Sequence, residues 1–157
     1  MGKVSATLFR GAQPHLSHLS ELKTLGITTI VDLRRESRHT AEEERLRAQA
    51  LDMQFVHIPV GGFSTPTPSQ LAEFFVLLRE APARRIFDHC EFGEDRTGVF
   101  IAAYRIAFEN WSSEQALAEM RAFGFNRRWH PEMVSFIRAL PDRLRSDPTL
   151  KSAVAKP

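Results

Sequence analysis

A single cysteine, Cys90, in a chain of 157 residues excludes an internal disulfide and favours a reducing compartment. No apolar run approaches the ~18 residues of a membrane span. The opening MGKVSATLFRGAQP holds no apolar stretch long enough for a signal peptide. It also misses an acylation pattern, with Ala6 where Ser or Thr is wanted. Formal net charge is only +2, so no global field draws the chain to nucleic acid. No internal repeat and no low-complexity segment occurs. There is no Gly-x4-Gly-Lys loop, and the six histidines lack metal-ligand spacing. These absences predict a cytoplasmic protein with no nucleic acid partner, no membrane span, no metal and no cofactor. Oligomeric state is not legible.

What is present suits a globular chain: 43% of residues are hydrophobic and 25% are charged. The length fits one domain over residues 1–157, with a core over about 7–140. Residues 141–157 read as a polar tail that frays.

Short β-branched or aromatic runs predict strands at 7–14, ITTIVDL (27–33), QFVHIPV (54–60) and RRIFDH (84–89). Leucines at three-residue spacing predict a helix over 15–25, ended by Gly26. Further helices are expected at 40–51 (Thr40 as N-cap), 68–81 (Ser69 as cap), 96–110, 112–123 (opened by Ser112 or Ser113, closed by Gly124) and 130–140. Alternation of this kind predicts an α/β fold, with a central mostly parallel sheet of about four strands flanked by helices. Such folds place ligands beyond the carboxyl ends of their strands. The turn FDHCEFGEDRTGVF, at 87–100, lies at such an end and carries the lone thiol.

A tight strand-to-helix turn points successive N–H groups inward and aims a helix's positive end at the same spot. Arg96 adds a planar fork able to grip two oxygens of a phosphate. A thiol in that cradle is favoured as thiolate. One loop can thus supply a nucleophile, oxyanion binding and charge stabilisation of an in-line transfer. Thr97 is placed to hydrogen-bond the cysteine sulfur or a loop carbonyl.

HCEFGEDRTG resembles the His-Cys-x5-Arg-Thr-Gly signature of the cysteine-based protein tyrosine and dual-specificity phosphatase superfamily. LFRGAQP, LGITTIVDLR, the Pro-rich loop and AAYRIAFENWSSEQALAEM resemble its bacterial members, over roughly residues 7–125. The resemblance implies a phosphatase-type loop between strand and helix, with Cys90 as nucleophile and Arg96 as phosphate clamp. The substrate cradle would comprise Glu91, Phe92, Gly93, Glu94, Asp95, Arg96 and Thr97. It implies a phospho-cysteine intermediate, no metal, and a phosphorylated protein or small phosphomonoester as substrate.

Many such enzymes carry an Asp as general acid on a loop about thirty residues before the cysteine. Here that loop, VGGFSTPTPSQ, has no carboxylate. Asp95 is the substitute, since a carboxyl beside a phosphate dianion holds its proton longer by like-charge repulsion. Its alternative role is to cap the helix or brace Arg96. Glu91 and Glu94 read as rim charges and argue against inositol polyphosphates. His89 reads as orienting the loop or as a packed histidine. Arg34 reads as facing the site or pairing with Glu36. Arg105 on an apolar helix needs a buried acceptor. FNRRWHP (125–131) reads as a basic, aromatic lip or as a solvated loop. The expected function is a cysteine-dependent phosphatase acting on phosphotyrosine or other phosphoprotein residues. Its rivals are a phosphoinositide or inositol phosphate phosphatase, a weak phospho-ligand-binding pseudophosphatase, and a rhodanese-type sulfur transferase, which Arg96-Thr97-Gly98 disfavours.

Overall fold

The β-branched and aromatic runs form a five-stranded sheet. The computed structural model describes residues 1–36, 38–80 and 83–155. The strands are β1 (Gly2–Lys3), β2 (Leu8–Ala12), β3 (Thr29–Arg34), β4 (Gln54–Val60) and β5 (Ile86–Cys90). Their order across the sheet is β1-β2-β5-β3-β4. All pairs are parallel except β1 with β2, so the expected parallel sheet gains one short antiparallel edge strand.

Among the described residues seven helices flank it: α1 (Leu19–Thr24, after a 3-10 turn at Leu16–His18), α2 (Arg38–Ala50), α3 (Pro68–Glu80), α4 (Asp95–Glu109), α5 (Ser113–Ala122), α6 (Pro131–Ser146) and α7 (Pro148–Val154). Strand alternation sends side chains to two cores. Phe9, Ile30 and Phe87 pack against Leu19, Leu22 and Ala48 of α1 and α2. Leu8, Val31 and Ile86 join the larger core beneath the other helices. β3 is buried at every position, as a central parallel strand must be.

Three boundaries differ from expectation for local reasons. Thr40 is not an N-cap: α2 starts at Arg38, and Thr40 Oγ1 instead accepts from Arg34 Nη1 at 3.3 Å. Thr67, not Ser69, caps α3. Gln70 N–H donates to its hydroxyl (3.3 Å), while Thr67 N–H donates to Gln70 Oε1 (2.9 Å), with Pro68 in the first turn. Residue 81, the expected end of that helix, lies outside the described residues. Ser112 does cap α5, through a reciprocal bond with Gln115.

The expected fraying tail is instead helical to Val154, with residues 156 and 157 outside the described residues. Pro141 sits inside α6, although its missing N–H orphans the carbonyl of Ile137. The Ser113 hydroxyl donates to that carbonyl at 2.9 Å, so the helix continues through the proline. Leu150 and Ala153 of α7 are buried, and Arg79 of α3 donates to Ala155 O at 2.6 Å. Among the described residues, no helix is long and apolar enough to cross a membrane.

Candidate active site

Ala12, Arg34, Val60 and Cys90 end the four parallel strands. Their register places Ala12 beside Cys90 and Arg34 beside Val60, so the following loops converge at one end of the sheet. The turn Glu91–Glu94 links β5 to α4 there. Gly93 reverses it with φ of +74°. A Cβ on Gly93 would lie 2.4 Å from the Gly11 carbonyl, so only glycine fits. Gly93 N–H donates to Cys90 Sγ at 3.3 Å. The thiol is 3% exposed, at the bottom of the turn.

Arg96 lies in the first turn of α4, with its side chain 6% exposed. Its Nη1 donates to Val60 O at 3.2 Å and lies 2.6 Å from Glu36 Oε1. The Nε–Nη2 edge makes no hydrogen bond among the described residues, which leaves a fork for an oxyanion. Pairing with Glu36 is one of the two readings of Arg34; Glu36 instead holds Arg96. Burial is the largest influence and raises the Glu36 carboxyl, but the hydrogen bond and charge of Arg96 together with backbone donors at Glu36 and Arg35 outweigh it and hold the carboxyl below the usual range. Glu36 therefore stays ionised and orients the fork.

Arg34 neither faces the site nor reaches the surface. Its guanidinium is buried under α2 and donates to Asp32 Oδ1 (2.9 Å), Asp32 Oδ2 (2.8 Å) and Glu44 Oε2 (2.9 Å). His89, fully buried, places Nδ1 3.1 Å from Cys90 O and Nε2 3.0 Å from Glu44 Oε1, the latter without hydrogen-bond alignment. Both readings of His89 thus hold: it is packed, and it braces the turn. Asp32, Glu44 and His89 form a cluster of metal-ligand types. Arg34 already bridges the two carboxylates and supplies one positive charge to the pair.

Asp95 opens α4, and its Oδ2 lies 3.3 Å from His130 Nε2. The expected lip therefore divides. Arg127, Arg128 and Trp129 are exposed, while His130 is buried. The His130 ring stacks between Phe63 of the carboxylate-free loop (5.1 Å) and Phe125 (5.8 Å). Glu91 and Phe92 are exposed and Glu94 half-buried. Thr97 does not reach the sulfur: its Oγ1 is buried without a hydrogen-bond partner among the described residues. Arg105 finds its acceptors in Glu119 (2.7 Å) and Glu109 (2.6 Å), far along α4, and serves the helix packing.

Sequence reasoning passed over Arg10 and Asp88. Arg10, 1% exposed, lies over the Phe123 ring at 4.1 Å and donates from Nη2 to Gly93 O at 2.8 Å, bracing the turn from below. The only signal for it was a charged residue inside a strand pattern. Asp88 is fully buried, and neither carboxylate oxygen has a hydrogen-bond partner among the described residues. Burial pushes its carboxyl well above the usual range; Arg10 opposes this and Asp32 adds to it. The folded chain therefore keeps a proton that the unfolded chain loses above about pH 3.9. Stability should fall as pH rises from there toward the folded value. Asp88→Asn should remove this decline. Thermal midpoints from pH 4 to 8 should show the variant gaining on the parent as pH rises, and parallel profiles would refute it.

The family model described as DSP-PTPase phosphatase fused to NAD+ kinase matches residues 2–135. The dual specificity protein phosphatase TpbA of Pseudomonas aeruginosa is 31% identical over 130 residues, covering 78% of this chain and 54% of its own length. The chain spans about half the length of the curated relatives it matches. The fold resembles the core catalytic domain of the PP-IP phosphatase SIW14 from S. cerevisiae, in complex with citrate, with a TM-score of 0.78. That match is 22% identical and covers 97% of this chain and 89% of the other. It also resembles a crystal structure of P. aeruginosa TpbA in complex with pTyr, with a TM-score of 0.72 and 21% identity, covering 90% and 88% of the two chains. By the match over residues 2–135, the chain belongs to the DSP-PTPase phosphatase family.

Proposed function

We propose that this protein is a cysteine-dependent phosphatase that hydrolyses phosphomonoesters, with phosphotyrosine or another phosphorylated protein residue as substrate. One observation carries the reading. The buried Cys90 thiol and the open edge of the Arg96 guanidinium belong to one turn, whose geometry Gly93 sets. In this reading the turn's amides and Arg96 hold three phosphate oxygens. Cys90 Sγ attacks phosphorus as the ester oxygen departs opposite, and the S–P bond forms as the P–O bond breaks. Asp95 gives its proton to the departing oxygen. It then takes a proton from the water that cleaves the S–P bond and releases phosphate.

Asp95 is preferred as acid because the neighbouring carboxylate, Glu36, is held ionised by Arg96. His130 Nε2, beside Asp95 Oδ2, would fix its orientation. The TpbA likeness supports a phosphoprotein substrate, since TpbA is a dual specificity protein phosphatase. The acids Glu91, Glu94 and Asp95 disfavour densely charged inositol phosphates. The lone thiol favours a reducing compartment such as the cytoplasm.

Turnover of an aryl phosphate between pH 5 and 7 tests the reading. Phosphate binding without turnover would make the protein a phospho-ligand-binding module instead. Asp95→Asn should slow release of a poorly leaving alkoxide or tyrosine phenoxide by about 10²-fold, and of p-nitrophenoxide far less. Equal slowing would assign Asp95 to positioning.

A further inference from the structure

Beside the candidate active site, α5, α6 and the segment joining them enclose an open depression of about 310 Å³. Its floor is apolar, formed by Leu117, Phe125 and Val134. Its rim carries Arg121, Arg127, Arg128 and Arg138, all exposed. Arg138 is paired with Glu114 at 2.8 Å, and Arg121 is close enough to help lower that carboxyl; Arg121, Arg127 and Arg128 make no ion pair of their own among the described residues. Three long cations around an apolar floor give little to folding, since exposed guanidiniums contribute little packing and repel one another.

The depression adjoins the catalytic turn. Phe125, part of that floor, also stacks on His130, and His130 lies 3.3 Å from Asp95. Gly124, next to Phe125, packs so closely on Glu94 that a Cβ there would lie 2.6 Å from the Glu94 carboxyl carbon. Three large aromatic side chains on the surrounding loops, Phe63, Phe92 and Trp129, are 71%, 69% and 70% exposed. Water-facing aromatics on loops at one site mark a surface that receives another apolar surface.

We propose that this depression docks an acidic segment of the phosphoprotein substrate, with one apolar side chain on the floor and flanking carboxylates on the arginine rim. The proposal rests on the phosphatase reading and names the substrate class that reading leaves open. An inositol polyphosphate matches the rim but has no group for the floor. A purely apolar peptide matches the floor and leaves the arginines unmet. An acidic stretch holding a leucine or valine meets both. The division of charge agrees with it: the turn itself is lined by Glu91, Glu94 and Asp95, so the attraction for anions is displaced from the reacting phosphate to the neighbouring rim.

Two measurements test this, one independent of catalysis. In the first, an unphosphorylated fluorescent peptide with one leucine among four glutamates is titrated by anisotropy at 50 and 300 mM salt. The parent protein should bind it, with affinity falling as salt rises. The double variant Arg127→Ala, Arg128→Ala should weaken binding about tenfold and flatten the salt dependence. In the second, kcat/KM is compared for phosphotyrosine peptides with and without the acidic-leucine segment, placed on either side. The variant should lower the preference for the acidic peptide about tenfold, through KM. Peptide binding without any turnover would sink the phosphatase reading and leave the docking site standing. No arginine-dependent peptide binding would overturn the docking site, whatever the turnover. Arginine-dependent binding of inositol hexakisphosphate or phosphatidylserine vesicles in preference to the peptide would overturn it also.

Discussion

Cys90→Ser is expected to abolish aryl phosphate turnover, by about 10⁴-fold or more, while affinity for inorganic phosphate or vanadate stays within a few-fold. The two readouts separate because different groups carry them. In the proposed reaction the nucleophile is one sulfur atom at the foot of the turn, and a serine hydroxyl is not ionised near neutral pH. The same proposal assigns oxyanion binding to the Arg96 edge and to backbone donors, which the substitution leaves in place. The Gly93 N–H, now donated to Sγ, has an oxygen acceptor in the variant. Stopped turnover together with lost phosphate binding would mean that the thiol shapes the turn rather than attacking. Retained turnover would end the phospho-cysteine reading. Isothermal titration beside a steady-state assay distinguishes these outcomes.

Arg34→Met should destabilise the fold by about 3–5 kcal/mol at neutral pH, because two buried carboxylates lose their shared cation. Asp32 and Glu44 are both fully buried, and Arg34 donates to both. Burial lowers the Arg34 guanidinium, but the hydrogen bond and charge of Asp32, then Glu44, more than reverse it, so the cation persists. Methionine fills similar space without charge. A buried carboxylate left without a cation costs most in its charged form. Hence the loss should be larger at pH 8 than at pH 5, which urea unfolding at the two values measures. A loss under about 1 kcal/mol, or one independent of pH, would show that the triad is solvated rather than a buried ion network. Because His89 joins Glu44 to the carbonyl of Cys90, the damage should also reach the catalytic turn.

Much of the architecture was legible because local signals agreed. β4 was readable to the residue from QFVHIPV, since β-branched and aromatic residues end there at Gly61-Gly62. Cys90, Arg96 and Gly93 lie within one short turn, so their grouping is a matter of chain connectivity and needs no folding to see. The helix expected at 130–140 was readable as the start of α6, but its continuation past Pro141 and the whole of α7 were not. Pro141 is a helix breaker by every local rule, and its tolerance depends on the Ser113 hydroxyl from another helix. The edge strand β1 was missed because two residues carry no periodicity.

The sequence by itself determined the alternation of strands and helices, the strand-to-helix turn around Cys90 and the absence of a carboxylate from residues 60–70. Each is set by neighbours a few positions apart. Only the tertiary structure decided which charge meets which. Glu36 holds Arg96 and not Arg34, Arg34 lies buried between Asp32 and Glu44, and His130 leaves an exposed basic segment to stand beside Asp95. The reason is physical. A long charged side chain reaches several partners of similar local merit. Burial makes one of those pairings worth far more than the rest, and burial is a property of the packed sheet and helices rather than of spacing along the chain.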